Sequence, residues 1–88
     1  MKIEFKKSFL KEVKKIKNKK LKKSIADCIV QVESVDQITQ IKNLKKLVGY
    51  DEYYRIRIGV YRIGVKIENH VVYFVVLEHR KNIYKEFP

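Results

Sequence analysis

Cysteine, proline, glycine, tryptophan and arginine are all scarce in this chain, and each shortage closes off part of function space. Cys28 is the only cysteine, so no intramolecular disulfide can form and a cysteine-built metal site is excluded. Two histidines, His70 and His79, add little ligand material, and no metal or cofactor is expected. Three scattered glycines cannot build a phosphate-binding loop. The longest apolar run, residues 71–77, falls far short of the roughly 20 residues that span a bilayer. The first residues are charged from Lys2 onward, with no apolar stretch like that of a signal peptide. A cytoplasmic protein without membrane contact is therefore expected.

Charge is abundant, and mostly of one sign. Twenty-one basic residues oppose ten acidic ones, giving a net charge of +11 over 88 residues. Residues 1–23 hold eleven lysines against Glu4 and Glu12, a balance of +9, which leaves +2 for the other 65 residues. Such a field attracts polyanions without identifying them. The lysine run at 14–23 fits a solvated helix face or a contact with a polyanion, and RNA, DNA, an acidic protein and anionic lipid all stay open on charge alone. Apolar residues make up 45% of the chain, enough to fold residues 1–88 as one small domain.

Periodicity divides the chain into elements. Met1, Ile3 and Phe5 alternate with Lys2 and Glu4, the pattern of a short strand with one buried face. Ser8 is placed to cap a helix carrying Phe9, Leu10, Val13 and Ile16, and Asn18 to end it in a left-handed conformation. Leu21, Ile25, Cys28, Ile29 and Val32 form the stripe of a second helix, antiparallel to the first. Cys28 on that stripe reads as a buried thiol. Residues 34–51 carry a weak signal, read as coil with a short strand at Lys45–Gly49.

Three strands follow. Tyr54, Ile56 and Ile58 alternate with Tyr53, Arg55 and Arg57; Gly59-Val60 is a two-residue turn; Tyr61, Ile63, Val65 and Ile67 alternate with Arg62, Gly64 and Lys66. Glu68-Asn69 is read as the second turn, with His70 solvated at the start of the next strand. Residues 71–77 are apolar throughout, as in a central strand covered on both faces. The tail must then shelter part of the second face. The expected fold is α+β: an N-terminal strand and an antiparallel helical hairpin packed on a small, mainly antiparallel twisted sheet, with a short C-terminal tail.

Arginine is where chemistry enters. Seventeen of the 21 basic residues are lysine; the four arginines, Arg55, Arg57, Arg62 and Arg80, are confined to the strand-rich half. Guanidinium is a rigid five-donor fork matched to phosphate, whereas lysine is a point charge. If the isoleucines face the helices, Arg55, Arg57 and Arg62 share the opposite face, and Arg80 follows the last strand closely enough to join them. With Tyr84 behind, the set suits metal-free phosphodiester chemistry: holding an RNA strand, stabilising a phosphorane and moving protons. Arginine is a poor general base, so Tyr84, His79, Lys66 and Lys81 are the proton-carrying candidates. Tyr53, Tyr61 and Tyr84 are candidates for base stacking. The alternative reading of each is structural: charge on a solvated face, tyrosine in the core, a hydrogen-bonded His79.

The order of elements, the Tyr61-Arg62-Ile63 hairpin and the closing His79-Arg80-Lys81-Asn82-Ile83-Tyr84-Lys85 resemble the RelE/ParE toxin superfamily of type II toxin–antitoxin systems, over essentially the whole chain. The resemblance to its RelE branch implies a ribosome-dependent mRNA endoribonuclease neutralised by a cognate antitoxin, with ribosome and mRNA as further partners. It implies that Arg62 contacts the scissile phosphate, that Arg80 stabilises the transition state or leaving group, and that Tyr84 stacks on a base and assists proton transfer. Arg55 and Arg57 stand where relatives have a lysine pair, which favours phosphate binding for both. Lys66, His79 and Lys81 complete the implied substrate-binding set. The ParE branch implies a different class of activity, a protein that binds DNA gyrase and cuts no nucleic acid. A third reading is an inactive RNA-binding module.

Overall fold

The alternation at the start of the chain forms strand β1 (Lys2–Phe5), and helices α1 (Lys7–Lys15) and α2 (Lys19–Ser34) follow. The computed structural model describes the backbone of residues 1–88 and every side chain except that of Glu86. A 3₁₀ turn at Ile38–Gln40 leads to β2 (Leu44–Lys46), then β3 (Tyr53–Ile58), β4 (Tyr61–Glu68), β5 (Val71–His79) and a one-turn helix α3 (Ile83–Glu86). The sheet order is β1-β5-β4-β3-β2; β1 runs parallel to β5 and the other pairs are antiparallel.

The expected α+β architecture holds, and several local expectations need correction. Ser8 does not cap α1. Lys6 takes that position without a side-chain bond, and the Ser8 hydroxyl donates to the Val75 carbonyl on β5. Asn18 does not end α1 in a left-handed conformation; at φ −69° it opens α2, accepting from the Leu21 amide at 2.9 Å. This is the standard N-cap role of asparagine, and it satisfies one of the helix's orphan donors. The weak strand is Leu44–Lys46 rather than Lys45–Gly49, because Leu47 to Tyr50 form a turn closed by the Tyr50 amide on the Leu47 carbonyl. The second hairpin turn is Asn69-His70, one residue later than expected, and His70 belongs to the turn. Both residues have positive φ, 52° and 62°, as a twisted two-residue hairpin requires.

Two hydrophobic cores lie on opposite faces of the sheet. The larger joins Phe9, Ile25 and Val32 of the helices to Ile56, Ile63, Val65, Ile67, Val72, Phe74 and Leu77. The smaller packs Ile83 and Phe87 of the tail, with Leu47, against Tyr53, Val75 and Val76. The tail thus shelters part of the second face, as the all-apolar strand required, although β5 is flanked by β1 and β4 and the middle strand is β4.

A β-bulge divides β5 between the two cores. Val65 pairs with Phe74 and Gly64 with Val76, so Val75 is the extra residue. Before it, Val72 and Phe74 face the helices. After it the phase shifts by one, so that Leu77 faces the helices and Glu78 lies across from Arg62. Without the extra residue Glu78 would point into the helix-side core.

Candidate phosphate-binding site

The arginine positions follow from the register. Arg57 pairs with Arg62 and Arg55 with Gly64, so all three arginines stand on the face opposite the helices. Arg80 is brought in by the backbone: its amide donates to the Val60 carbonyl at 2.8 Å, pinning the end of β5 to the β3–β4 turn. Arg57, Arg62 and Arg80 line a groove of about 710 Å³ between α2 and the end of that hairpin. Ser24, Asp27 and Gln31 of α2 and Asn43 form its other wall, with the Asp27 carboxylate ion-paired to Lys23 at 2.9 Å.

Two of the four guanidinium groups, those of Arg62 and Arg55, are held by main-chain carbonyls. Arg62 Nη1 donates to Gly59 O and to Tyr61 O, both at 2.9 Å. Arg55 Nη1 donates to Asn43 O at 3.1 Å, and the Arg57 amide donates to the same oxygen at 3.2 Å. Asn43 presents that carbonyl from a left-handed conformation, φ 62°. The pKa of Arg62 is lowered from its ordinary value, first by partial burial and then by the charges of Arg55, Arg57 and Arg80, with Tyr84 acting in the opposite sense. Arg62 stays protonated at neutral pH, since a guanidinium does not titrate there. Behind burial, the second contribution to the lowering is the crowding of three other guanidinium groups around Arg62, a repulsion that a bound anion would relieve.

Tyr84 sits in α3, between the buried anchors Ile83 and Phe87, with its own side chain 66% exposed. It acts electrostatically on Arg62 but does not line the arginine groove; it lines a neighbouring one with Lys45, Leu47 and Phe87. The other candidates lie elsewhere. Lys66 ion-pairs with Glu68 at 3.1 Å and Glu52 at 3.6 Å, and its pKa is raised, chiefly by a hydrogen bond to Glu68. Four residues of strand, roughly 13 Å, separate it from Arg62. Phe87 lies on Gly64 between the two. His79 pairs with Tyr61 and packs edge-on to its ring, 5.7 Å between centroids, on the helix side of the sheet. Its Nδ1 accepts from the Lys81 amide at 3.2 Å, which shapes the turn carrying Arg80. Lys81 is exposed in that turn.

Tyr61 packs against the helix-side core and Tyr53 against Phe87, so both are partly buried packing residues. Sequence reasoning missed Asn43 and the α2 wall of the groove. The signal for Asn43 was its place just before a strand, where asparagine tolerates positive φ better than most residues. Cys28 also lines the groove, and burial pushes its thiol up to about 11. Among the described residues no group of three or more His, Cys, Asp or Glu is placed to hold a metal, and no helix is long and apolar enough to cross a membrane.

A family model described as "ParE toxin of type II toxin-antitoxin system, parDE" matches residues 3–84. Toxin RelE3 of Methanocaldococcus jannaschii is 37% identical over 89 residues, covering the whole of both chains. The toxin fold also matches the RelB-RelE antitoxin-toxin complex from Methanococcus jannaschii at a TM-score of 0.79 and 35% identity, over 97% of this chain and 99% of that one. The archaeal RelE-RelB complex from Pyrococcus horikoshii matches at 0.74 over 93% and 97%, with 19% identity, a likeness of fold alone. Sequence and fold agree across the full length, and the chain belongs to the RelE/ParE superfamily of type II toxin–antitoxin toxins, where it is RelE-like.

Proposed function

We propose that this toxin is a ribosome-dependent, metal-independent mRNA endoribonuclease acting in the cytoplasm. The observation that carries the reading is the convergence of Arg57, Arg62 and Arg80 on one groove, with the Arg62 proton disfavoured first by burial and then by its neighbours. In the reaction the 2′-oxygen of one nucleotide attacks the adjacent phosphorus. The P–O5′ bond breaks, leaving a 2′,3′-cyclic phosphate and a 5′-hydroxyl. Arg62 holds the non-bridging oxygens, and Arg80 stabilises the phosphorane and the departing oxygen. Tyr84 stacks on a base and fixes the in-line geometry. Arg55 and Arg57 take neighbouring phosphates, and Lys81 adds charge beside Arg80. His79 supports the turn that positions Arg80. Lys66 is tied to two carboxylates and serves at most as an outlying strand contact.

No arginine can accept the 2′-hydroxyl proton, so proton transfer falls to Tyr84 and to groups of the ribosome-bound RNA. This shortage of a base on the toxin itself gives a physical reason for dependence on the ribosome. A cognate antitoxin is the second partner, as RelB is for the RelE of the matched complexes. An acidic or amphipathic segment that folds on binding would mask Arg62 and Arg80.

Mapping of mRNA 5′ ends shortly after induction, beside an Arg80→Ala control, tests the reading. Cuts within translated codons that vanish in the control are expected. Intact mRNA alongside arrested growth and DNA damage signalling would replace it with gyrase inhibition, the reading that the ParE-described family match favours.

A further inference from the structure

A second concave surface lies beyond Tyr84, and the site described so far does not use it. The turn Leu47–Tyr50 has glycine at its third position with φ +85°, and the Tyr50 amide donates to the Leu47 carbonyl. That is a type II turn, in which the third residue must adopt positive φ. It leaves Val48 93% exposed at the apex and Tyr50 48% exposed beside it. Exposure has not left the Tyr50 ring without support. It meets Tyr53 edge-on at 5.9 Å, and Tyr53 in turn meets Phe87 edge-on at 5.4 Å. Tyr50 and Tyr84 together line a groove of about 370 Å³ whose floor includes Leu47 and Phe87.

Two tyrosine rings beside an apolar floor suit a flat group, and the flanking charge says what kind. Lys45 lines the same groove and stands directly across from Arg55, on the arginine face. Arg55 in turn acts on Arg62. The groove is thus joined to the arginine cluster through Arg55 on one side and Tyr84 on the other. Two strand spacings, roughly 10 Å, separate β4 from β2. That is no more than about three stacked nucleotides.

We propose that the Tyr50–Tyr84 groove is a second nucleotide subsite, which stacks a base of single-stranded RNA flanking the phosphate at Arg62, with Lys45 on the connecting phosphate. The inference rests on the ribonuclease reading and adds a specific extent to its substrate: the toxin grips the strand on the β2 side of the cut. Alternating cations and aromatic faces are the general means of holding a single strand without reading its sequence.

The test uses the purified full-length toxin and a five-nucleotide RNA with 2′-O-methyl riboses, which cannot be cleaved, carrying 2-aminopurine at each position in turn. Wild type is expected to quench the fluorophore at a position flanking the central phosphate. Tyr50→Phe should retain that quenching, Tyr50→Ala should abolish it, and the affinity of Tyr50→Ala should fall at least about fivefold. Gly49→Ala, with open space around the new methyl but a disfavoured φ, should weaken the same signal by displacing Tyr50. Arg62→Ala serves as the control for the arginine site. Unchanged binding in Tyr50→Ala, with Arg62→Ala weakened, overturns the subsite, leaves the nuclease reading standing and returns the groove to a protein partner. A wild-type toxin that does not bind the RNA, or an Arg62→Ala variant that binds it as well as wild type, also overturns the subsite, while the ribosome-dependent nuclease reading stands or falls by the 5′-end mapping.

Discussion

The two ends of the arginine face carry the same sign of charge and have opposite electrostatic fates. At one end Lys66 sits between Glu52 and Glu68, and its pKa is raised because both carboxylates favour the charged form. At the other, Arg62 is partly buried and has three more guanidinium groups around it, and its pKa is lowered by both, burial first. One cation is paired with two carboxylates; the other is crowded by guanidinium groups, with Glu78 across from it in the sheet, so that positive charge outnumbers negative around it. Phe87, seated on Gly64, stands between them and keeps the two regions from merging. Positive charge alone therefore does not mark the site on a +11 protein. What marks it is positive charge that the fold has left in excess.

The comparison breaks most sharply on substitution at each end. Arg62→Ala or Arg80→Ala is expected to lower ribosome-dependent cleavage on the order of 100- to 1,000-fold, the usual result of deleting a donor that stabilises a developing oxyanion. Lys66→Ala should change it by less than about fivefold, since that side chain's partners are internal. Single-turnover cleavage on programmed ribosomes measures both. A loss at Lys66 as large as that at Arg62 would mean that the substrate reaches past Phe87, and that the two ends work as one site.

Phe87 itself can be tested through the glycine beneath it. A Cβ added at Gly64 would meet Val76 Cγ2 at 2.7 Å and Phe87 ring atoms at 2.8 Å. Gly64→Ala should therefore push the tail off the sheet, at a cost of about 1–3 kcal/mol typical of overpacking. A lowered urea midpoint together with reduced cleavage would establish that the tail docks on Gly64 and that docking positions Tyr84. A lowered midpoint with full activity would separate stability from tail placement.

Much of this was legible in the residues. The alternation of isoleucine with arginine in β3 and β4 assigns Arg55, Arg57 and Arg62 to one face, because period-two sequence leaves no other arrangement with a buried side. The α2 stripe and the Gly59-Val60 turn were equally plain. What was hidden lay where periodicity carries no information. Residues 71–77 are apolar at every position, so nothing in them announces the bulge at Val75 that turns Glu78 toward Arg62 and His79 toward Tyr61. Lys66 shares the arginine face by alternation, yet Glu68, two residues on along the same strand face, and Glu52, brought beside it by the β3–β4 pairing, withdraw it from the cluster. The first was readable from alternation, and only the second is a matter of tertiary contact. The roles of Ser8 and Asn18 were misread because capping depends on which neighbour a short polar side chain reaches first. Asn43 and Tyr50 became prominent only once their turns brought them beside β3 and the tail.

The smallest expected effect belongs to the satisfied end. Because the folded-state pKa of Lys66 is raised, its contribution to stability should be fully present below the ordinary lysine value of 10.5 and disappear as pH rises through the folded-state value above it. The measurement is the difference in urea midpoint between wild type and Lys66→Gln, followed from pH 7 to pH 11. Taking the difference cancels the tyrosines and other lysines that titrate in the same range. A gap that is flat to about pH 10 and closes beyond it is expected, small throughout because the pair is solvated. Added salt should narrow the gap at every pH where it exists. A gap unchanged at pH 11 would mean that the lysine charge contributes nothing there and that packing of its stem over Tyr53, with the ammonium 5.9 Å from the ring centre, is what the substitution removes. The two ends of the face would then differ in burial and packing rather than in charge compensation, and the case for Arg62 would rest on its crowded neighbours alone.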